Sequence, residues 1–360
     1  MRLVIAGGGT GGHLFPALAV AEAIAKEVPG ASVLFIGTTH GIEARTIPGT
    51  GFDIRYIKVR GIRGTGLLNT VRAASELPAA VLQSVSILRE FKPDVVLGVG
   101  GYASGPVLLG ALLMRIPTAI QEQNSVMGTT NRILSSFVDR VFISWEHTEP
   151  ATPREKTSVT GNPIRADLLE PVEPIPAGKG FNLLVFGGSQ GARSINRAMT
   201  TGLDEQTDIA EKVAILHQTG RDAVDEVRKA YDGAGFHADV REFVHDMRAA
   251  YGWADLVVCR SGASSLAELT ALGKAAIVVP FPYAIGDHQA KNAAVLQVAG
   301  AVGVIPDAEL KDGLLWRTIR GLMENPDRLA ALAGNSLRLG RPEAARTIAS
   351  ALLGMKRSRR

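Results

Sequence analysis

Short apolar runs alternate along this chain with longer segments of helical periodicity. Helical periods such as Pro16–Lys26 and Ser265–Leu272 separate runs that read as buried strands. Strands that alternate with helices predict parallel sheets covered by helices on both faces. The predicted strands are Leu3–Ala6, Ser32–Ile36, Asp94–Leu97, Thr118–Ile120, Arg140–Ile143, Thr157–Val159, Asn182–Phe186, Val213–His217, Val240–Phe243, Leu256–Cys259, Ala276–Val279 and Ala301–Ile305, and further predicted helices are Ile195–Leu203 and Asp222–Ala230.

The pattern repeats itself half a chain length later. Residues Val4–His13, VIAGGGTGGH, align with Leu184–Arg193, LVFGGSQGAR, and Asp94–Gly105 resembles Asp255–Leu266. Each half therefore carries one strand, glycine loop and helix early and another one late. The repeat predicts an α/β fold of two Rossmann-like domains separated by a cleft.

Length and composition agree with two domains. The chain has 360 residues, of which 46% are apolar and 21% charged, as expected for globular domains with sizeable cores. A proline-containing linker at Val159–Gly180 places the boundary between residues 1–162 and 163–340. The one cysteine, Cys259, allows no disulfide framework, which fits a reducing cytoplasm, and it reads as a packed apolar residue rather than a nucleophile.

Two uncharged stretches have nearly the length of a membrane-spanning helix. Leu3–Ala21 and Val95–Met114 contain no Lys, Arg, Asp or Glu, but each contains several glycines and a proline. Because such residues interrupt the apolar segment that insertion requires, we interpret both stretches as strand–loop–helix units.

The glycine loops point to anion binding. Where a loop turns from a strand into a helix, glycine allows a ligand to approach the backbone amides at the positive end of the helix dipole. Gly7–Gly12, Gly187–Gly191 and Ser261–Ser265 have this form, and the serines of the third loop are candidate helix caps. Close backbone packing without a ligand is the alternative for any single loop.

A nicotinamide cofactor is disfavoured. Gly7, Gly9 and Gly12 satisfy the spacing G-x-G-x-x-G, which is a weak signal alone. The acidic residue that should end the following strand is missing, because residues 35–39 contain neither Asp nor Glu.

Seven short motifs occur in a fixed order along the chain, and together they point to one protein family. Together these motifs resemble the MurG family of bacterial glycosyltransferases over nearly the whole chain. The motifs are GGGTGGH from Gly7, GVGGYASGP from Gly98, QEQN from Gln121, GNPIR from Gly161, GGSQGA from Gly187, CRSGASSLAE from Cys259, and FP followed by DHQAKNA between Phe281 and Ala294.

The resemblance implies a GT-B fold and a peptidoglycan-synthesis reaction. Such an enzyme moves N-acetylglucosamine (GlcNAc) from UDP-GlcNAc to the 4-hydroxyl of the N-acetylmuramyl (MurNAc) sugar of lipid I, with inversion, and forms lipid II. The donor would bind the C-terminal domain and the acceptor the N-terminal domain, which residues 341–360 would join. The resemblance implies no cofactor, no tightly bound metal and no nucleic acid. It implies a peripheral location on the cytoplasmic face of the membrane, with cell-wall synthesis or division proteins as candidate partners.

The resemblance also assigns residues, one by one. Glu268 would accept both ribose hydroxyls, although a carboxylate early in a helix is also favoured by the dipole alone. Val244 would read the uracil edge through its backbone. The other assignments are Arg165 and Ser189 to the diphosphate, Ala263, Ser264, Ser265, Leu266 and Ala267 to the nucleotide loop, Asn124 and Gln289 to the GlcNAc hydroxyls, and Thr10, Gly11 and Gly12 to the reacting sugars and the acceptor's diphosphate.

His13 has three readings that the sequence leaves open. It is a general base for the acceptor hydroxyl, an orienting donor to phosphate, or a histidine that caps its loop. Gln121 stands where the family often has histidine, and for that reason it is not counted among the catalytic residues.

The segment Gly61–Phe91 is the candidate membrane contact. Basic and apolar residues in one exposed segment suit binding to an anionic inner-leaflet surface, and a core helix with solvated arginines is the alternative. The residues concerned are Arg63, Arg72, Arg89, Leu67, Leu68, Val71 and Leu77.

Three other functions compete with the transferase. A UDP-GlcNAc 2-epimerase would share the double Rossmann frame but would need acid and base carboxylates around the sugar and no lipid surface. A nicotinamide oxidoreductase is disfavoured because the sequence lacks the acidic residue that would bind the cofactor. A protein that senses nucleotide sugars without catalysis can be distinguished from the transferase only by an activity assay.

Overall fold

The fold is taken from a computed structural model that describes residues 1–59, 66–171, 180–188 and 191–355, without the side chains of 66–74 and of Ile285. Ser189, Arg63 and the side chains of Leu67, Leu68, Val71 and Arg72 therefore lie outside the described residues. The chain divides into two compact units. The N-terminal unit is Met1–Arg165 with Arg341–Arg360, and the C-terminal unit is Ala166–Gly340.

The N-terminal unit is built on a parallel sheet with strand order β3-β2-β1-β4-β5-β6-β7. The first strand in sequence lies in the middle of the sheet, and the chain crosses over it between β3 and β4. The strands are β1 Arg2–Ala6, β2 Ser32–Gly37, β3 Asp53–Tyr56, β4 Val95–Gly98, β5 Thr118–Glu122, β6 Arg140–Ile143 and β7 Thr157–Val159.

Helices cover both faces of this sheet. Leu3 and Ile5 of β1 pack on one face with helices α1 (Gly11–Glu27) and α13 (Ala344–Gly354). Val4 and Ala6 point to the other face, towards α4 (Ser104–Leu113). Such two-sided burial explains why β1 reads as a continuous apolar run. The helices are α1 Gly11–Glu27, α2 Glu43–Thr46, α3 Gly66–Phe91, α4 Ser104–Leu113, α5 Thr129–Leu134 and, from the end of the chain, α13 Ala344–Gly354.

The C-terminal unit repeats the same order of strands. Its parallel sheet runs β10-β9-β8-β11-β12-β13, so that β8 occupies the place of β1 and β11 the place of β4. The strands are β8 Phe181–Phe186, β9 Val213–Gln218, β10 His237–Arg241, β11 Leu256–Cys259, β12 Ala276–Val278 and β13 Gly303–Val304, and the helices are α6 Arg193–Thr200, α7 Val224–Gly233, α8 Met247–Trp253, α9 Ala263–Ala271, α10 His288–Val298, α11 Leu314–Met323 and α12 Pro326–Leu339.

The predicted alternation of strands and helices is confirmed, and so is the pair of Rossmann-like domains. Both uncharged stretches, Leu3–Ala21 and Val95–Met114, form a strand, a glycine loop and a helix. The internal repeat has a structural meaning, because the aligned loops follow equivalent strands of the two sheets.

Two strands differ from the prediction. The strand β3 was missed because it lies at the sheet edge with mostly exposed side chains, and its sequence, DIRY, lacks an apolar run. The strand β10 spans His237–Arg241 instead of Val240–Phe243. It is also an edge strand. Phe243, whose hydrophobicity suggested a strand, lies beyond it, is 43% exposed and has its ring edge-on to His245.

Candidate active site

Both units place glycine-containing loops after the two adjacent central strands of a sheet. These are β1 and β4 in the N-terminal unit, and β8 and β11 in the C-terminal unit. In each sheet the connections leave in opposite directions at this point, and ligands of open parallel sheets bind outside the carboxyl ends of such strands. The fold therefore puts the sequence-predicted loops where a site is expected.

The loop after β1 is held against the loop after β4 by backbone contact. Gly7, Gly8 and Gly9 all have positive φ, at 138°, 138° and 88°. A Cβ on Gly7 would overlap the carbonyl of Gly100, and the N–H of Gly8 points to that carbonyl at 3.4 Å. Glycine is required here both for the backbone conformation and for the close approach.

A buried carboxylate lies beneath the same loop. Glu43, the first residue of α2, is 1% exposed and accepts hydrogen bonds from the N–H of Gly9 at 2.7 Å and the N–H of Thr38 at 2.9 Å. The hydroxyl of Thr38 donates to it as well, at 3.1 Å. Residues 35–39 contain no acidic side chain, whereas the structure brings Glu43 to the glycine loop from six residues after the end of β2.

His13 lies in the first turn of α1, beside exposed Thr10. The hydroxyl of Thr10 is 3.2 Å from Nδ1 of His13, and a Cβ on Gly100 would lie 3.0 Å from Cδ2 and Nε2 of the ring. The imidazole is thus half-buried, with one edge against the backbone of the second loop. Gly11 and Gly12 begin the helix next to it, so the structure does bring the predicted residues of this loop together.

Asn124 belongs to a polar network centred on buried Glu122. The N–H and the Nδ2 of Asn124 both donate to Oε1 of Glu122 at 3.1 Å, and Asn131 donates to Oε2 at 2.9 Å. Glu122 itself is 1% exposed, at the end of β5. The network fixes the amide of Asn124 at the carboxyl edge of the sheet.

Gln121 has a structural role in the N-terminal unit. Its side chain is 1% exposed, its Nε2 donates to Oδ1 of Asn162 at 3.1 Å, and its Oε1 accepts from Gln123. Asn162 is part of the GNPIR motif, so Gln121 ties the end of β5 to that motif. Arg165 is the predicted site residue of that motif, and it is half-buried at the end of the first segment of the N-terminal unit.

In the C-terminal unit, one glutamine side chain joins two predicted binding segments. The Nε2 of Gln218 donates to the carbonyl of Gly188 at 2.8 Å, and its Oε1 accepts from the N–H of Val244 at 2.8 Å. Gln218 is 3% exposed, at the end of β9. The N–H of Val244 is therefore used inside the protein.

The loop after β11 differs from its predicted capping. The N-cap of α9 is Gly262, which has no side chain, and Ser261 donates its hydroxyl to the carbonyl of Gln289 at 2.8 Å. Among the described residues, the buried Oγ of Ser264 has no hydrogen-bond partner. A serine hydroxyl in the first turn, at the positive end of the helix, suits a ligand oxygen.

Glu268 lies in the second turn of α9, half-buried, with its carboxylate held by a tyrosine. The hydroxyl of Tyr251 donates to Oε2 of Glu268 at 2.8 Å. Tyr251 is 1% exposed, and its ring packs edge-on against Phe186. Since the dipole effect fades beyond the first turn, the dipole alone is a weak reason for a glutamate at this position.

The remaining candidates are also placed. Gln289, at the start of α10, accepts from the N–H of Phe281 at 2.9 Å through Oε1. Cys259 is fully buried, and desolvation raises the pKa of its thiol well above the usual range, as expected for a packed residue rather than a nucleophile. Sequence reasoning missed Glu43, Gln218 and Tyr251, whose partners are distant in sequence.

The described residues contain neither a candidate membrane span nor a candidate metal cluster. No helix there is long and apolar enough to cross a membrane. No group of three or more His, Cys, Asp or Glu side chains there is arranged to hold a metal ion.

The chain matches two family models that together span most of its length. The N-terminal domain of glycosyltransferase family 28 matches residues 3–143, and the C-terminal domain of the same family matches residues 182–348. These matches cover the loops after β1 and β4 in one unit and after β8 and β11 in the other.

Curated relatives are similar over nearly the full chain. A "UDP-N-acetylglucosamine--N-acetylmuramyl-(pentapeptide) pyrophosphoryl-undecaprenol N-acetylglucosamine transferase" of Myxococcus xanthus is 48% identical over 97% of this chain and 91% of the relative. A protein of the same name from Geobacter metallireducens is 47% identical over 99% of both chains.

Solved structures agree with the sequence comparison. MurG of Acinetobacter baumannii superposes with a TM-score of 0.81 at 31% identity, over 98% of this chain and 99% of that one. A UDP-GlcNAc 2-epimerase of Neisseria meningitidis, at 17% identity and a TM-score of 0.67 over 98% and 100% of the two chains, shares the fold alone. The chain therefore belongs to the MurG family of glycosyltransferases, within glycosyltransferase family 28.

Proposed function

We propose that this protein transfers GlcNAc from UDP-GlcNAc to the 4-hydroxyl of the MurNAc sugar of lipid I and so forms lipid II. The acceptor oxygen attacks the anomeric carbon of GlcNAc while the bond from that carbon to the diphosphate breaks. UDP leaves with the bonding electron pair, the acceptor proton passes to a base, and the anomeric centre inverts.

The observation that carries this proposal is the identity of nearly half of all residues, over almost the full chain, with transferases whose name states the donor UDP-GlcNAc and the N-acetylmuramyl-(pentapeptide) pyrophosphoryl-undecaprenol acceptor. The 4-hydroxyl and the inversion are the finer parts of the proposal. A match confined to one unit would support only a nucleotide-sugar fold. Here both units match the two domains of one transferase family.

In the C-terminal unit, Glu268 and Val244 suit the uridine of the donor. An ionised carboxylate offers about four acceptor sites, so Glu268 can accept from Tyr251 and still bind two ribose hydroxyls. The Val244 carbonyl is an acceptor for the N3–H of uracil, since the N–H of Val244 already donates to Gln218. Gln289 would face GlcNAc with its amide donors, because its Oε1 accepts from Phe281.

The diphosphate would develop charge as UDP leaves. The helices α6 and α9 begin just after the loops of the C-terminal unit, and their N-termini present backbone amides and positive dipole ends. Fixed donors of this kind stabilise a developing oxyanion without reorganisation. We assign Ala263, Ser264, Ser265, Leu266 and Ala267 to this surface, and Arg165 and Ser189 to the phosphate oxygens.

In the N-terminal unit, His13 is the proposed base. Thr10 beside Nδ1 and Gly100 against Nε2 and Cδ2 fix the plane of the ring, as a positioned base requires. Thr10, Gly11 and Gly12 form the adjoining surface for the acceptor, and Asn124, held by Glu122, lies at the carboxyl end of β5 in the same sheet.

A transfer assay tests the proposal. Purified protein is incubated with UDP-GlcNAc and a short-chain lipid I analogue, with and without a chelator, and the product is weighed by mass spectrometry. We expect a product heavier by one GlcNAc residue at the same rate in both reactions. Donor that binds without product contradicts the transferase, and a chelator-sensitive rate contradicts only the proposed independence of a metal.

We also propose that Gly61–Phe91 contacts an anionic membrane surface on the cytoplasmic side. The sequence of this segment combines arginines with leucines and valine, and each basic side chain near an anionic leaflet contributes about 1 kcal/mol. Anionic vesicles should bind the protein in a salt-sensitive way, and Arg63→Glu with Arg72→Glu should weaken that binding. Unchanged binding of the double variant would exclude this segment.

A further inference from the structure

The carboxylate of Glu43 takes the place that an anionic ligand takes in other glycine loops. In phosphate-binding loops the backbone amides point outward to a bound anion. Here the N–H of Gly9 points to Oε2 of Glu43 at 2.7 Å, and the same carboxylate accepts from the N–H and hydroxyl of Thr38.

Three glycines surround this carboxylate and leave room for it because they have no side chains. A Cβ on Gly8, Gly37 or Gly41 would overlap the end of the Glu43 side chain. These three glycines come from the loop after β1, the end of β2 and the turn before α2. A buried charge is tolerated only when hydrogen bonds replace its hydration, and three donors do so here.

The contact between Gly9 and Glu43 lies next in sequence to Thr10 and His13, the residues proposed to face the acceptor. Gly7, Gly8 and Gly9 have positive φ. Because glycine can adopt many backbone conformations, this segment needs an additional contact to hold it in one of them. The bond from Gly9 to Glu43 is made one residue before Thr10, whose hydroxyl lies beside His13. The buried carboxylate of Glu43 therefore anchors the loop next to its exposed end.

We propose that Glu43 is a positioning residue for the acceptor side of the site: it fixes the Gly7–Thr10 loop, and through that loop Thr10 and His13, by serving as the loop's own anion. This inference rests on the proposed transferase function. It also assigns the Gly9 amide to the protein itself, so that amide does not bind the acceptor's diphosphate.

Glu43→Gln tests the role with almost no change in volume. The glutamine side chain has one oxygen that accepts and one NH2 group that donates. It therefore cannot accept hydrogen bonds from Gly9 and Thr38 together. We expect kcat to fall about 10- to 100-fold, the range that a small displacement of reacting groups produces, while the KM for UDP-GlcNAc stays within about twofold. Glu43→Ala should lose activity similarly and regain part of kcat in acetate, but not in chloride of equal ionic strength.

Asp94→Asn is the matched control. Asp94 is a buried carboxylate of the same unit, and its Oδ2 accepts from the N–H of Arg2 at 2.8 Å. It precedes β4, at the amino end of the sheet and away from the glycine loops. The control should lower the melting temperature and leave kcat near the wild-type value.

The outcomes separate this inference from the function on which it rests. A folded Glu43→Gln with normal kcat, or with a donor KM that rises as much as kcat falls, overturns the positioning role alone. If both Glu43 variants are unfolded at the assay temperature, Glu43 supports the fold rather than the loop, and the inference is also overturned. A wild-type chain that makes no product overturns the proposed function first.

Discussion

At the scale of single residues, a second hydrogen-bonding group lies against three of the candidate functional side chains. Tyr251 holds Glu268, Thr10 lies beside His13, and Glu122 holds Asn124. The family resemblance of the sequence motifs singled out Glu268, His13 and Asn124 as candidates. It did not predict Tyr251, because Tyr251 lies on a different helix and its tie to Glu268 exists only in the folded unit.

Tyr251→Phe should weaken donor binding with little effect on the chemical step. The variant keeps the ring packed on Phe186 but removes the hydroxyl that orients Glu268. We expect the Kd for UDP to rise about 3- to 10-fold, because a hydrogen bond to a charged group contributes about 1.5–3 kcal/mol and only part of this acts on the ligand. Calorimetric titration with UDP and with 2′-deoxy-UDP measures the effect.

Tyr231→Phe is the control for that titration, because Tyr231 is equally buried in the same unit and pairs with His217 instead. An equal loss of UDP affinity in both variants would mean that Tyr251 acts only on stability. The loss in Tyr251→Phe should also be smaller for 2′-deoxy-UDP, since one of the two hydroxyls that Glu268 would bind is missing.

His13→Ala should lower kcat about 10²- to 10⁴-fold, the usual contribution of a positioned base. The Kd for UDP-GlcNAc should hardly change, because the proposed uridine-binding residues Val244 and Glu268 belong to the other unit. Initial rates at saturating substrate, with the exposed His40→Ala of the same unit as control, measure the effect. A rate within a few-fold of wild type would remove His13 from the mechanism.

At the scale of elements, apolar periodicity predicted the central strands well and the edge strands poorly. The strands β1, β4, β8 and β11 are buried on both faces, so hydrophobicity alone identifies them. The edge strand β3 exposes polar side chains and is defined by its pairing with β2, which a local pattern does not contain. The contact between Glu43 and the glycine loop was not predicted for the same reason, since only the tertiary structure brings Glu43 to that loop.

Buried His217 on β9 joins this strand to two helices. Its ring nitrogens lie 2.9 Å from the hydroxyl of Tyr231 on α7 and 3.1 Å from Oδ1 of Asn196 on α6. Asn196 donates its own Nδ2 to the carbonyl of Thr219, so its Oδ1 accepts from the Nε2–H of a neutral imidazole. Desolvation lowers the pKa of His217 from 6.5 to about 3.

This depressed pKa predicts acid sensitivity of the C-terminal unit. Between about pH 6.5 and 3 the unfolded state binds one more proton at this position than the folded state does. The free energy of unfolding therefore falls by about 1.4 kcal/mol per pH unit from this group as the pH decreases. In urea titrations between pH 7 and 4, the advantage of wild type over His217→Gln should shrink with acidity. A pH-independent difference would contradict a neutral buried imidazole.

At the scale of the whole molecule, the chain carries one architecture twice with different loops. The N-terminal sheet has its own buried carboxylate beneath the glycine loop after β1, whereas the equivalent loop after β8 is contacted by the neutral amide of Gln218. An anionic ligand therefore suits the second loop better than the first. This asymmetry supports the proposal that the nucleotide diphosphate binds the C-terminal unit and the sugar acceptor the N-terminal unit.

The most direct test of the transferase is a proton NMR time course of UDP-GlcNAc with a soluble lipid I analogue and the purified protein. We predict loss of the α-anomeric signal of the donor, growth of UDP, and a new anomeric doublet with the large coupling of a β-linkage. Appearance of an isomerised nucleotide sugar, or a donor that stays intact at protein concentrations that bind it, would contradict the account.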